Sequence, residues 1–164
     1  LNQAIREVRR ISHDLRPSLL DDLGFEAALL SMTDEFSERT GVFTNVRLDL
    51  PDIQLPDDIE ITIYRVIQEA LTNIERHAQA TQAGISIYAR DDTIKTIVSD
   101  NGKGIARERQ REGIGLSNMR ERTELLGGSF ELKSKVGLGT RIISIFSLEP
   151  IKEGVNKSCR HSGA

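Results

Sequence analysis

At 164 residues, with 29% charged and 38% hydrophobic side chains, the chain is long enough for one domain with a real core and is ordinary in composition for a globular protein. Its formal net charge of -3 excludes a broad basic field for direct nucleic-acid binding, so any phosphate it binds must be held locally. Only Cys159 is present, which excludes an internal disulfide, and no apolar run approaches the roughly 18 to 20 residues that cross a bilayer.

The chain opens on Leu1 inside a helical pattern, with no signal-peptide signature. We therefore expect the C-terminal piece of a longer protein, cytoplasmic, with any membrane anchor in the part that precedes it. Leu1, Ile5, Val8, Ile11 and Leu15 recur at helical spacing and predict an amphipathic helix that Pro17 ends or kinks. From Phe25, "FEAALLSMTDEFSERTG" predicts a second helix stopped by Gly41. "FTNVRLDL" alternates like a strand, with Val46, Leu48 and Leu50 on one side. Asp57 or Asp58 is the expected cap of a long helix to about Gln79, whose buried face is Ile59, Ile63, Val66, Ile67, Ala70, Leu71 and Ile74. "GISIYAR" and "TIKTIVSD" predict a hairpin turning at Asp91 and Asp92. "LSNMRERTELLGG" reads as a shorter helix ended by Gly127 and Gly128, and "SFELKS" with "GTRIISIFSL" as a closing hairpin. The tail from Lys152 is polar, and disorder is its default. Strands grouped in pairs predict an α+β fold, a two-layer sandwich of a mixed or antiparallel sheet covered by helices on one face.

Four places carry exposed chemistry. In "QEALTNIERHA", Glu69, Asn73 and His77 are spaced by four and share one helical face. A carboxylate, a carboxamide and an imidazole in line suit a hydrated Mg2+ and its phosphates, although such a row also describes a solvated helix face. "SDNGKGI" follows a strand; Asp-Asn-Gly is a common turn, yet Gly102 and Gly104 also let backbone approach a flat ligand, and Asp100 could accept from an exocyclic amine. "GIGL", Gly113 to Leu116, opens a helix whose unpaired N–H groups and dipole suit an anion. "GLGT", ending at Thr140, reads alone as a hairpin turn. Neither a Walker pattern nor a nucleophile elbow is present.

In this order, "IYRVIQEALTNIERHA", "DNGKG", "GIGLSNMRER" and "GLGT" resemble the N, G1, G2 and G3 boxes of the GHKL (Bergerat) ATP-binding fold of gyrase, mismatch-repair ATPases and histidine kinases. The resemblance covers roughly 48 to 148. It implies binding of ATP and Mg2+, with Glu69 and Asn73 at the metal and triphosphate, Asn73 as the direct ligand, and His77 near the phosphates. It also implies that Asp100 reads the adenine amino group, Gly102 and Gly104 shape the base pocket, Gly113, Gly115 and Leu116 belong to the mobile lid, and Thr140 stands near the adenine. No phenylalanine-rich box stands between Gly104 and Gly113, so the expected lid is short. Phosphoryl transfer needs mainly positioning and charge neutralisation, which such a set supplies.

Upstream, "REVRRISHDLRPSLLDDLGFEAAL" is similar to the end of the dimerisation domain in the sensor histidine kinases that partner response regulators with helix-turn-helix output domains. That resemblance implies a homodimer in the full-length protein and an acceptor histidine on a preceding helix. Spacing agrees: 60 positions separate His13 from Asn73, too few for a further helical hairpin besides the elements between them. His13 is therefore expected to be structural or interfacial. The expected domains are 1–24, the second dimerisation helix; 25–150, the ATP-binding domain; and 151–164, a tail. A serine kinase of the anti-sigma-factor type shares the fold but lacks the hairpin that 1–24 resembles, and a non-hydrolysing nucleotide sensor of the same fold is the other alternative.

Overall fold

The computed structural model describes residues 17–50, 55–106 and 113–148. His13, Cys159, the amphipathic pattern before Pro17, most of the lid and the C-terminal tail lie outside the described residues.

Pro17 begins a short helix, α1 (Ser18–Leu23), rather than only closing an earlier one. Gly24, at φ 78°, breaks it from α2 (Phe25–Thr40), and α2 ends as its sequence predicts, on Gly41 in the left-handed conformation. Strand β1 (Phe43–Asp49) follows, with Val46, Leu48 and Leu50 half-buried and packed against the core.

Helix α3 (Asp57–Asn73) carries Ile59, Ile63, Val66, Ile67, Ala70 and Leu71 on its buried face, and the seventh predicted position, Ile74, is buried in the turn that follows. Its start differs from the sequence expectation. Pro56 is the N-cap, no side chain caps the helix, and the Pro56 carbonyl accepts from the Ile59 and Glu60 amides. Proline already holds the φ that the turn requires, so Asp57 and Asp58 fall inside the first turn, where their charge complements the helix dipole. The end differs too. The α-helix gives way to a π turn (Ile74–Ala78), and Gln79 takes a left-handed conformation at φ 53°.

The remaining elements are β2 (Gln82–Arg90), β3 (Thr93–Asp100), α4 (Ile114–Leu125), β4 (Ser129–Ser134) and β5 (Thr140–Ser147). The five strands form one mixed sheet in the order β1-β2-β3-β5-β4, with β1 parallel to β2 and every other pair antiparallel. Alternate residues of the central strands, among them Ile85, Ile87, Ile94, Val98, Ile142 and Phe146, join Ile63, Val66, Ile67 and Leu29 of the helices in a single buried cluster. This is the expected α+β sandwich. The antiparallel order also brings the end of β3 beside the start of β5.

Candidate nucleotide-binding site

Asp100 and Thr140 are register partners across β3 and β5, so their side chains stand side by side on the helix-covered face of the sheet. Burial raises the pKa of Asp100 above the ordinary carboxylate value, while backbone donors from Gly102 and Thr140 oppose the shift. The Gly102 amide donates to Asp100 Oδ1 at 2.7 Å. The Thr140 hydroxyl is 2.9 Å from Ser134 Oγ, which also donates to the Gly139 carbonyl and accepts from the Ile105 amide. A cleft of about 480 Å³ opens beside this group, bounded also by Ser99, Leu132, Leu138 and Arg141.

The loop after Asp100 is fixed to the end of the π turn. Lys103 N–H donates to the Ala78 carbonyl at 2.8 Å, satisfying an acceptor that the helix end leaves open. A Cβ on Gly102 would overlap that same carbonyl, and one on Gly104, at φ 69°, would overlap the Lys135 carbonyl. These two glycines are thus required by backbone packed on backbone. Asn101 completes the junction: its Oδ1 accepts from the Thr81 and Gln82 amides at 3.0 and 2.9 Å, and its Nδ2 donates to Thr81 Oγ1 at 2.9 Å.

On α3, Glu69 and Asn73 are half-buried, while His77, in the π turn, is exposed and makes no hydrogen bond or ion pair among the described residues. Asn73 Nδ2 is buried and has no hydrogen-bond partner. Gly113 is the N-cap of α4, and Leu116 packs against the core. Gly115, in the first turn, lies directly on Glu69, since a Cβ there would collide with Glu69 Oε1. The site residues therefore fall into two groups, Asp100 with Thr140 and Glu69 with Gly115, joined through the Ala78 to Gly102 contact.

Residues 58–150 match the family model described as histidine kinase-, DNA gyrase B- and HSP90-like ATPase. The chain belongs to that ATPase family. The sensor histidine kinase MctS of Rhizobium johnstonii is 43% identical over 126 residues, covering 74% of this chain and 27% of that protein. The histidine-protein kinase/phosphatase DegS of Brevibacillus brevis is 35% identical, covering 87% and 37%, and the oxygen sensor histidine kinase NreB of Staphylococcus carnosus is 36% identical, covering 85% and 41%. The chain thus spans 27% to 41% of the length of these curated relatives. The fold matches the histidine kinase AdeS of Acinetobacter baumannii at a TM-score of 0.63 and 20% identity, covering 91% of this chain and 82% of that one. It also matches the kinase domain of a blue-light activated histidine kinase from Erythrobacter litoralis at 0.61 and 19%, covering 76% and 61%. The chain is a histidine kinase type ATP-binding domain.

This ATPase domain has donors that fit Mg2+. Among the described residues no cluster of three or more His, Cys, Asp or Glu side chains could cage a metal. The Asn73 carboxamide oxygen beside the Glu69 carboxylate suits an ion that keeps most of its coordination for water and phosphate oxygens, and the unpartnered Asn73 Nδ2 is a donor suited to a phosphate oxygen rather than to the metal. Several site residues carry little signal in the sequence. Asn101 reads as part of a turn, and Ser134 as an ordinary strand end, although its register opposite Thr140 brings it beside Asp100 and Thr140. Arg122, half-buried on α4, reads as one more charge on a charged helix. Its pKa is lowered by burial and by the like charge of Arg65, with Glu69 and Glu121 opposing.

Proposed function

We propose that this domain binds Mg2+-ATP and delivers the γ-phosphoryl group to a histidine outside residues 1–164, as the catalytic part of a two-component sensor kinase. The observation that carries the reading is the pairing of Asp100 with Thr140, tied by backbone to a helix end that presents the unsatisfied Asn73 carboxamide. In this reading Asp100 accepts from the adenine amino group, with Thr140, Gly102 and Gly104 shaping the base pocket. Asn73 and Glu69 hold Mg2+, which supplies charge neutralisation at the phosphates. His77, Gly113, Gly115 and Leu116 bound the phosphate side and its lid. The γ phosphorus exchanges its bond to the β,γ-bridging oxygen for one to an imidazole nitrogen. ADP leaves with that oxygen, and the proton of the other imidazole nitrogen passes to solvent.

The sensor kinases among the relatives favour this reading over a serine kinase or a non-hydrolysing sensor. The wider assignment rests on the resemblance of the upstream segment: residues 1–24 as the end of a dimerisation hairpin, 25–150 as the catalytic domain, 151–164 as a tail, a homodimeric cytoplasmic kinase, and a response regulator with a helix-turn-helix output domain as partner. No helix among the described residues is long and apolar enough to cross a membrane. Calorimetric titration with ATP and with GTP, each with and without Mg2+, tests the reading. Tight, Mg2+-dependent binding of ATP alone is expected. Equal affinity for ATP and GTP would remove Asp100 from the base pocket, because guanine presents a carbonyl where adenine presents an amine.

A further inference from the structure

Helix α4 carries two arginines with different surroundings. Arg120 is used by the fold: it lies 4.9 Å over the Phe130 ring, donates to the Phe130 carbonyl at 3.1 Å and pairs with Glu124. Arg122 has no such employment. It is half-buried and makes no hydrogen bond or ion pair among the described residues. Its direction follows from helical spacing. Gly115, Met119 and Arg122 recur at four and three residues and so share one face, and Gly115 on that face touches Glu69 of α3. Arg65 stands one turn before Glu69 on α3, where it donates to Gln68 Oε1 at 2.9 Å. Two guanidinium groups, one from each helix, therefore flank the Glu69 carboxylate on the side away from Asn73.

The two guanidinium groups share the Glu69 carboxylate in a half-buried setting, with Glu121 of α4 also acting on Arg122. Burial first, and then the like charge of Arg65, lowers the Arg122 pKa, with Glu69 and Glu121 opposing. Guanidinium groups offer planar, paired N–H donors suited to phosphoryl oxygens, and Arg122 has its donors unengaged.

We propose that Arg122, supported by Arg65, is an anion site for the non-bridging oxygens of the γ-phosphoryl group during transfer, separate from the nucleotide contacts at Asn73 and Asp100. The inference rests on the kinase reading above. No bond is made to either arginine. The pair supplies donors and charge while the phosphorus exchanges the bridging oxygen of ADP for an imidazole nitrogen. Charge supplied at that moment accelerates transfer without tightening the ground-state nucleotide.

The test uses the whole 164-residue chain and titrates Mg2+-ADP in the absence and presence of aluminium fluoride, which completes a mimic of the transferring phosphoryl group. Wild type should bind ADP more tightly with the fluoride. Arg122→Met should lose about 10- to 100-fold of that gain, the range for a hydrogen bond to a charged group, while its affinity for ADP alone stays unchanged. Arg122→Lys keeps the charge and should recover part of the gain; it also covers the case in which the Met variant fails to fold. Arg120→Met should lower the melting temperature and leave the gain intact. An undiminished gain in Arg122→Met, the absence of any gain in wild type, or an equal loss of affinity for ADP alone would each overturn the site. Failure of wild type to bind ADP at all would instead overturn the kinase reading.

Discussion

Asn73 is a half-buried residue whose amide nitrogen is already unsatisfied, so its removal takes away a polar group that the fold does not use. Asn73→Ala should therefore keep its melting temperature close to that of wild type while Mg2+-ATP affinity, read by calorimetry, falls by about tenfold or more, on the order of one lost charged hydrogen bond. Asp100 behaves differently because it is charged. Its raised folded-state pKa means the fold favours the protonated form. That stabilising contribution is fully present below the unfolded value of about 3.9 and is lost as the pH rises through the raised value. Asp100→Asn escapes the penalty at every pH. In thermal melts its advantage over wild type should be greatest near neutrality and disappear in acid, and a pH-independent difference would show that burial of charge is not the cause. Two glycines distinguish packing from chemistry in the same way. Gly102→Ala drives a Cβ into the Ala78 backbone and should destabilise the fold, whereas Gly115→Ala meets only the tip of the Glu69 side chain, which can swing aside. Its melting temperature should hold, and its nucleotide binding should change.

Among the elements, the loop after β3 depends most on a residue outside the proposed chemistry. Three side-chain hydrogen bonds from Asn101 hold it to the start of β2. At about 0.5 to 1.5 kcal/mol each, reduced by exposure, Asn101→Ala should cost about 2 kcal/mol in denaturant unfolding and weaken nucleotide binding as well. The elements themselves are largely legible, because hydrophobic period and glycine stops act locally: α2 with Gly41, the β2–β3 hairpin with its turn at Asp91, and the buried face of α3 all follow from spacing. What stays hidden depends on partners distant in sequence. The π turn ends where it does because the Ala78 carbonyl finds Lys103, and α1 is concealed because Pro17 signals a stop and a start equally well. Motif order brings the candidate site residues into view, whereas Asn101 and Ser134 matter only through contacts that no spacing reveals.

The whole molecule rests on one cluster in which α3 lies across the sheet. Ile67, fully buried there, should cost about 2 to 5 kcal/mol when cut to Ala, visible as a fall in the denaturant midpoint with the slope unchanged. The exposed ion pair between Arg39 of α2 and Glu75 of the π turn contributes far less, and Glu75→Ala should leave the midpoint nearly where it was. The junction of Lys103 and Gly102 with Ala78 has another effect at this scale. Because backbone rather than side chain spans it, the separation between Asp100 and Asn73 is set like the jaws of a locked caliper. Under the proposed reading, a ligand that reaches one jaw would be gauged for its length against the other, so nucleotides with one phosphate, two or three would be distinguished by reach before any lid closes.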